Sequence, residues 1–180
     1  MTEARPQSVR TGSGEVLEPG AAGELVACWV AVANAGGAVG FPFPPVGEAE
    51  VRPVAEKLFG EVGGGTCRLV TARVGGRMAG WLAVRRQSDP LVAHWGTVHH
   101  VQTHPAFRRR GVGAALMAEA RRLAREEWGL EQLHLAARGG AGLEGFYERL
   151  GWREAGRWPG ALRLSPGDDR DDVLMVLSPL

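Results

Sequence analysis

The chain has 180 residues, 44% apolar and 23% charged, with a formal net charge of +1. That is the composition of a single folded domain, and it excludes a disordered chain or a strongly basic nucleic-acid coat. Two cysteines, Cys28 and Cys67, exclude a disulfide-rich scaffold and a four-thiolate metal site. No apolar run reaches the roughly 18 residues of a membrane helix, and the start MTEARPQSVR has no apolar core behind it. Neither a membrane span nor a signal peptide is expected, and the cytoplasm is the default location.

Residues 1–14 are polar and expected to form a flexible N-terminus ahead of one domain over residues 15–180, with a short strand near Glu15-Val16-Leu17. After Pro19-Gly20, apolar Leu25, Val26, Trp29, Val30 and Ala33 recur at helical spacing over Ala21 to Ala35. Three prolines and several glycines keep Gly37 to Gly47 irregular, and Glu48 to Val62 reads as a second helix. Thr66 to Val74 and Arg77 to Arg85 form a hairpin about Gly75-Gly76, and Trp95 to Thr103 is a further strand. Gly111 to Trp128 carries the clearest helical stripe: Val112, Ala115, Leu116, Ala120, Leu123 and Ala124. Leu130 to Ala137 alternates as a strand, and Leu143, Phe146, Tyr147 and Leu150 space as a short helix. A strand from Gly151 to about Trp158, a loop over Pro159 to Asp169 and a strand over Asp172 to Leu177 complete the chain. The order β-α-α-β-β-β-α-β-α-β-β predicts an α/β (α+β) domain with a mixed sheet and helices on both faces.

The stretch VHHVQTHPAFRRRGVGAALM, Val98 to Met117, concentrates the chemistry. A strand ends at a proline, three arginines follow, and Gly111-Val112-Gly113 opens a long helix. The first amides of a helix lack intrahelical partners and lie at the positive end of its dipole. Glycines let a phosphate approach, and Arg108, Arg109 and Arg110 add charge, so a phosphate or pyrophosphate seat is expected. A dinucleotide fingerprint fails because its third glycine position is Leu116, and a P-loop fails for want of its lysine. A glycine-started helix beside a solvated basic loop is the bland alternative.

Arg108-x-x-Gly111-x-Gly113, followed by Gly145-Phe146-Tyr147-Glu148-Arg149-Leu150-Gly151-Trp152 and the last strand Asp172-Val173-Leu174-Met175-Val176, resembles the GNAT acyltransferases over roughly Val16 to Leu177. The resemblance implies a central mixed, mostly antiparallel sheet splayed between strands 4 and 5, with acetyl-CoA as acyl donor in the gap. It implies that main-chain groups of Val101, Gln102 and Thr103 pair with the pantetheine arm. Amides of Arg109, Arg110, Gly111, Val112, Gly113 and Ala114 would hold the pyrophosphate, with Arg108 nearby. Where many members carry Asn and Ala, this chain has Gly140 and Leu143, so one side-chain contact to the donor is absent from the pattern.

Acyl transfer to an amine needs a proton acceptor and an acid for the departing thiolate. The family places its acid at Tyr147, the sole tyrosine; a core role on the short helix is the alternative. Strand alternation sends His99 and His100 to opposite faces, so at most one points at the acceptor. The resemblance favours His99 as base, where arylalkylamine-type members carry a histidine, with His100 second; Thr97 shares the face of His99, and a water chain is the alternative. The first two helices and their connection shape the acceptor pocket in this family, which points to Trp29, Phe41, Phe43, Glu48 and Glu50, a carboxylate and aromatic walls suiting a cationic amine. His94, His99, His100 and His104 cluster in sequence, but a strand cannot turn alternate residues to one ion, so no metal site is expected. The function implied is acetyl transfer from acetyl-CoA to a primary amine of a small molecule, without a covalent enzyme intermediate. An acyl-CoA sensor, a protein or peptide N-acetyltransferase and a nucleic-acid binder are the rivals, the last weakest at net charge +1. Neither nucleic acid nor membrane is an expected partner; a homodimer through the terminal strands is what the family allows.

Overall fold

The computed structural model of the chain describes residues 9–14, 20–37, 40–41 and 44–180. One sheet of seven strands runs in the order β1 (Val9–Gly14), β2 (Cys67–Val74), β3 (Arg77–Arg86), β4 (Trp95–Thr103), β5 (Gln132–Arg138), β7 (Asp168–Leu177), β6 (Arg153–Ser165). The β4–β5 pair is parallel and the others are antiparallel. Among the described residues four α-helices accompany it: α1 (Ala21–Asn34), α2 (Glu48–Val62), α3 (Val112–Arg122) and α4 (Leu143–Glu148). This is the mixed α/β architecture expected from the element order.

Local chemistry explains the main elements. Gly75 and Gly76 both hold positive φ, 58° and 78°, which the tight β2–β3 turn requires. β3 is buried from Met78 through Val84 because it is covered on both faces. On one face α3, the turn that continues it and α4 pack Leu116, Ala120, Leu123 and Tyr147 against Val70, Leu82, Val98, Leu135 and Met175. On the other, α1 and α2 pack Leu25, Trp29, Val51 and Leu58 against Leu69, Trp81 and Ala83. The α3 stripe continues past Arg122 through a wider turn, in which Trp128 N–H donates to Leu123 O at 3.1 Å.

Two segments differ from the reading of the sequence. Val9–Gly14, expected to be irregular, forms the edge strand β1, in register from Val9 opposite Val74 to Gly14 opposite Leu69. An edge strand is held by backbone pairing, and Ser13 Oγ adds a hydrogen bond to Glu119 Oε1 at 3.1 Å, so a polar sequence conceals it. The strand expected near Glu15-Val16-Leu17 lies outside the described residues. Pro159 to Asp169 is not a loop: β6 and β7 extend through it as a long hairpin. Cross-strand pairs Arg157–Asp171 at 2.9 Å and Arg163–Asp169 at 2.7 Å hold that hairpin, and a register shift between Trp158 and Leu162 absorbs Pro159.

Leu116 is fully buried where α3 crosses the sheet, and a Cβ at Gly80 would stand 3.1 Å from its Cδ1. Leu116→Ala is expected to cost about 3 kcal/mol and lower Tm by roughly 6–12 °C in thermal unfolding, without changing the far-ultraviolet spectrum.

Candidate active site in the split sheet

β4 and β5 are paired only at Trp95–Gln132, Gly96–Leu133 and Thr97–His134. Beyond Thr97 the two strands diverge, while β4 stays bonded to β3 through Thr103. One backbone edge of β4 is therefore unpaired and free to take an extended ligand. The divergence opens a cleft of about 1040 Å³, walled by β4, the β4–α3 loop, β5, α4 and the end of α1.

A bulge sets the histidines. Ala83 pairs with His99 and Trp81 with Gln102, so Leu82 alone opposes His100 and Val101. His100 takes up the extra residue at φ 55°. His99 and His100 consequently both line the cleft, with ring centroids 6.2 Å apart, instead of facing opposite ways as strand alternation implies. His99 Nε2 shares a hydrogen bond of 2.7 Å with Thr97 Oγ1. The His100 ring packs on Trp29 at 4.8 Å and Trp81 at 5.7 Å.

Burial pushes His99 down to about 4, helped by the Arg85 guanidinium and opposed by Glu61. His100 is also pushed down to about 4, by burial, then His99 and Arg85. Both rings are therefore neutral at pH 7 and able to accept a proton. Unfolded histidines take up a proton near pH 6.5, so below that pH the unfolded chain binds more protons than the folded one. Stability is expected to be full above about pH 6.5 and to fall as pH drops toward about 4. Urea midpoints at pH 7.5 and 5.0 check this: the difference should shrink in the His99→Gln, His100→Gln double variant.

Tyr147 faces the cleft from α4 and is 5% exposed. Its ring meets Phe146 edge-on at 5.1 Å, and burial pushes its phenol up to about 12. It is both a core residue and a wall of the cleft, and it remains a proton donor at neutral pH.

At the start of α3, Gly111 caps the helix at φ 78°, and the first helical bond runs from Ala115 N to Gly111 O at 2.9 Å. The amides of Val112, Gly113 and Ala114 precede that bond and lack helical partners. Arg109 is held at φ 60° in the loop before them. A Cβ at Gly113 would stand 3.1 Å from Phe146 Cζ and 3.6 Å from Thr103 Oγ1, so this position must stay small. Val101, Thr103, Arg108, Arg109 and Gly111 through Ala114 line the cleft. Gln102 and Arg110 do not: the Gln102 side chain is buried with both polar atoms unpartnered, and the Arg110 guanidinium lies over the Phe107 ring at 5.6 Å.

The expected acceptor residues are not gathered in the cleft. Trp29 is fully buried behind His100, and Phe41 packs on it at 5.4 Å. Glu48 lies on an exposed face paired with Arg52 at 2.7 Å, and Glu50 accepts from Gly47 N at 2.9 Å as a helix cap. Phe43 lies outside the described residues. Three features that sequence reasoning missed stand there instead. Trp95 and His134 stack at 4.4 Å across the β4–β5 pair. Arg149 enters from the end of α4, and Arg138, at the end of β5, donates from Nη2 to Gly36 O at 2.6 Å. Residues about a hundred positions apart give no local signal of such a contact. Gly140 holds φ 74°, and a Cβ there would stand 3.0 Å from the tip of the Arg170 side chain. Among the described residues no three or more His, Cys, Asp or Glu gather as a metal site, and no helix is long and apolar enough to cross a membrane.

The profile of the acetyltransferase (GNAT) domain family matches residues 65–154, half of the chain. No curated protein matches it by sequence. Among solved structures, a GNAT-family acetyltransferase from Streptococcus pneumoniae superposes with a TM-score of 0.73 at 18% identity, over 95% of this chain and 99% of that one. The ribosomal-protein-S18-alanine N-acetyltransferase from Escherichia coli gives 0.68 at 19% identity, over 94% of both chains. A nourseothricin acetyltransferase gives 0.55 at 28% identity, over 64% of this chain and 66% of that one. With the split sheet and the capped arginine loop in place, the family match completes the assignment: the chain belongs to the GNAT acetyltransferases and is an acyltransferase.

Proposed function

We propose that this protein transfers an acetyl group from acetyl-CoA to the primary amine of a small molecule, directly between two bound substrates. The observation that carries the reading is the convergence, in one cleft, of the unpaired β4 edge, the free amides of α3, Tyr147 and His99. These residues fit the donor. Main-chain groups of β4 through Val101, Gln102 and Thr103 would hold an amide-bearing arm as an added strand. The amides of Gly111 to Ala114, with Arg108 and Arg109, would hold a diphosphate.

The bound thioester supplies an activated acetyl carbonyl. His99, oriented by Thr97, accepts the proton of the attacking amine as the C–N bond forms; His100 is second in line. Tyr147 gives its phenolic proton to sulfur as the C–S bond breaks and regains one from solvent, to which His99 releases the proton taken from the amine. Cys28 and Cys67 are both buried, and neither lines the cleft, so no acyl-enzyme is needed.

Calorimetry with coenzyme A, then thiol release from acetyl-CoA across a panel of amines, tests the reading. Heat on binding with amine-dependent release is expected; a folded protein that gives no heat with coenzyme A overturns it. His99→Gln is expected to lower kcat about 100-fold while leaving coenzyme A affinity unchanged.

A further inference from the structure

The charge on the cleft wall is one-sided. Arg108, Arg109, Arg138 and Arg149 line it, and among the described residues no aspartate or glutamate does. Glu61, the carboxylate that acts on His99, is paired with Arg85 at 2.7 Å, and Glu48 of α2 is paired with Arg52 at 2.7 Å. A cleft built for a cationic acceptor such as a polyamine needs the opposite sign.

Two of the four arginines belong to the loop before α3, where a diphosphate would use them. Arg138 is elsewhere. In the parallel register His134 stands beside Thr97, so alternation puts Ala136 and Arg138 on the sheet face of Thr97 and His99, away from α3. The intervening Leu133, Leu135 and Ala137 enter the α3-side core, which agrees. Arg138 Nη2 bonds the neutral Gly36 carbonyl, and the guanidinium forms no ion pair among the described residues. Asp172 stands opposite in register without pairing to it, and Asp168 is held by Arg170 at 2.5 Å. Burial and the neighbouring Arg170 lower the Arg138 pKa and Asp168 opposes them, so an incoming anion would be welcomed there. A planar fork with unused donors is the usual receptor of a carboxylate.

We infer that the acceptor is an amino acid, an amine that brings its own carboxylate, and that Arg138 receives that carboxylate while the amine faces His99. The inference rests on the acetyltransferase reading and deepens it.

The test presents the wild-type protein and acetyl-CoA with the common α-amino acids other than cysteine, with their methyl esters, and with spermidine. Amino acids are expected to outpace esters and spermidine by at least about 10-fold, and the best of them to give heat when titrated into the coenzyme A complex. Arg138→Gln should raise the KM for that amino acid by about 10- to 100-fold, abolish its heat, and leave coenzyme A affinity and the KM for its ester unchanged. A merely structural role for the Arg138–Gly36 contact would shift both acceptors together, which would overturn the inference. Faster turnover of esters, spermidine or a peptide with a blocked C-terminus, or no turnover of any amino acid, would overturn it too. Those results leave the donor seat intact, whereas absence of heat with coenzyme A removes the seat itself.

Discussion

Tyr147→Phe is expected to lower kcat by about 100- to 1,000-fold while leaving the fold and coenzyme A affinity unchanged. Only the phenolic oxygen is removed; the ring stays packed between Phe146 and Trp152. Because burial pushes the phenol up to about 12, Tyr147 stays protonated through the whole neutral and mildly alkaline range. The alkaline limb of the kcat profile should therefore not fall near pH 10, where a solvated tyrosine would titrate. Single-turnover measurements separate this loss from slow product release. Full activity in the variant would remove Tyr147 from the role of acid.

Gly113→Val is expected to weaken coenzyme A binding at least about 100-fold, read by calorimetry. A Cβ at this position already meets Phe146 Cζ at 3.1 Å, and the γ-methyls of valine must displace either that ring or the ligand over the α3 amides. Losing two charge-assisted hydrogen bonds of roughly 1.5–3 kcal/mol each accounts for a change of that size. The overpacking itself costs about 1–3 kcal/mol of stability, so thermal unfolding must accompany the binding measurement. Gly113→Ala should have the smaller effect, since Phe146 needs to yield only a few tenths of an ångström. Unchanged affinity in the valine variant would mean that the diphosphate does not lie against this turn.

The two variants probe different parts of one arrangement. Gly113 belongs to the first turn of α3, whose geometry is local. Tyr147 belongs to α4, which reaches the same cleft through the core shared by α3, β5 and β7. A change in kcat with Tyr147 and a change in affinity with Gly113 would separate chemistry from binding.

Much of this site is legible in the amino-acid order because its signals are local. The Gly75-Gly76 turn, the α3 stripe and the run from Arg108 to Gly113 each depend on neighbours within a few residues, where periodicity and backbone freedom speak directly. The element order, the mixed sheet and the glycine start of α3 followed from such signals. The β1 edge strand and the long β6–β7 hairpin did not, since backbone pairing and cross-strand ion pairs hold polar segments that read as loops.

What the chain order carried on its own was the likeness to the family and the glycine start of α3. Tertiary structure decided which side chains meet. The bulge at His100 turns both histidines into one cleft, because an extra residue in β4 breaks the alternation that sequence spacing assumes. The packing of the elements leaves Glu48 exposed and brings Arg138 to Gly36 across 102 positions of chain, so the described wall of the cleft carries arginines instead of the carboxylates its helices suggest. Charge at a site is a sum over whatever the fold gathers, and that sum is not carried by any one segment.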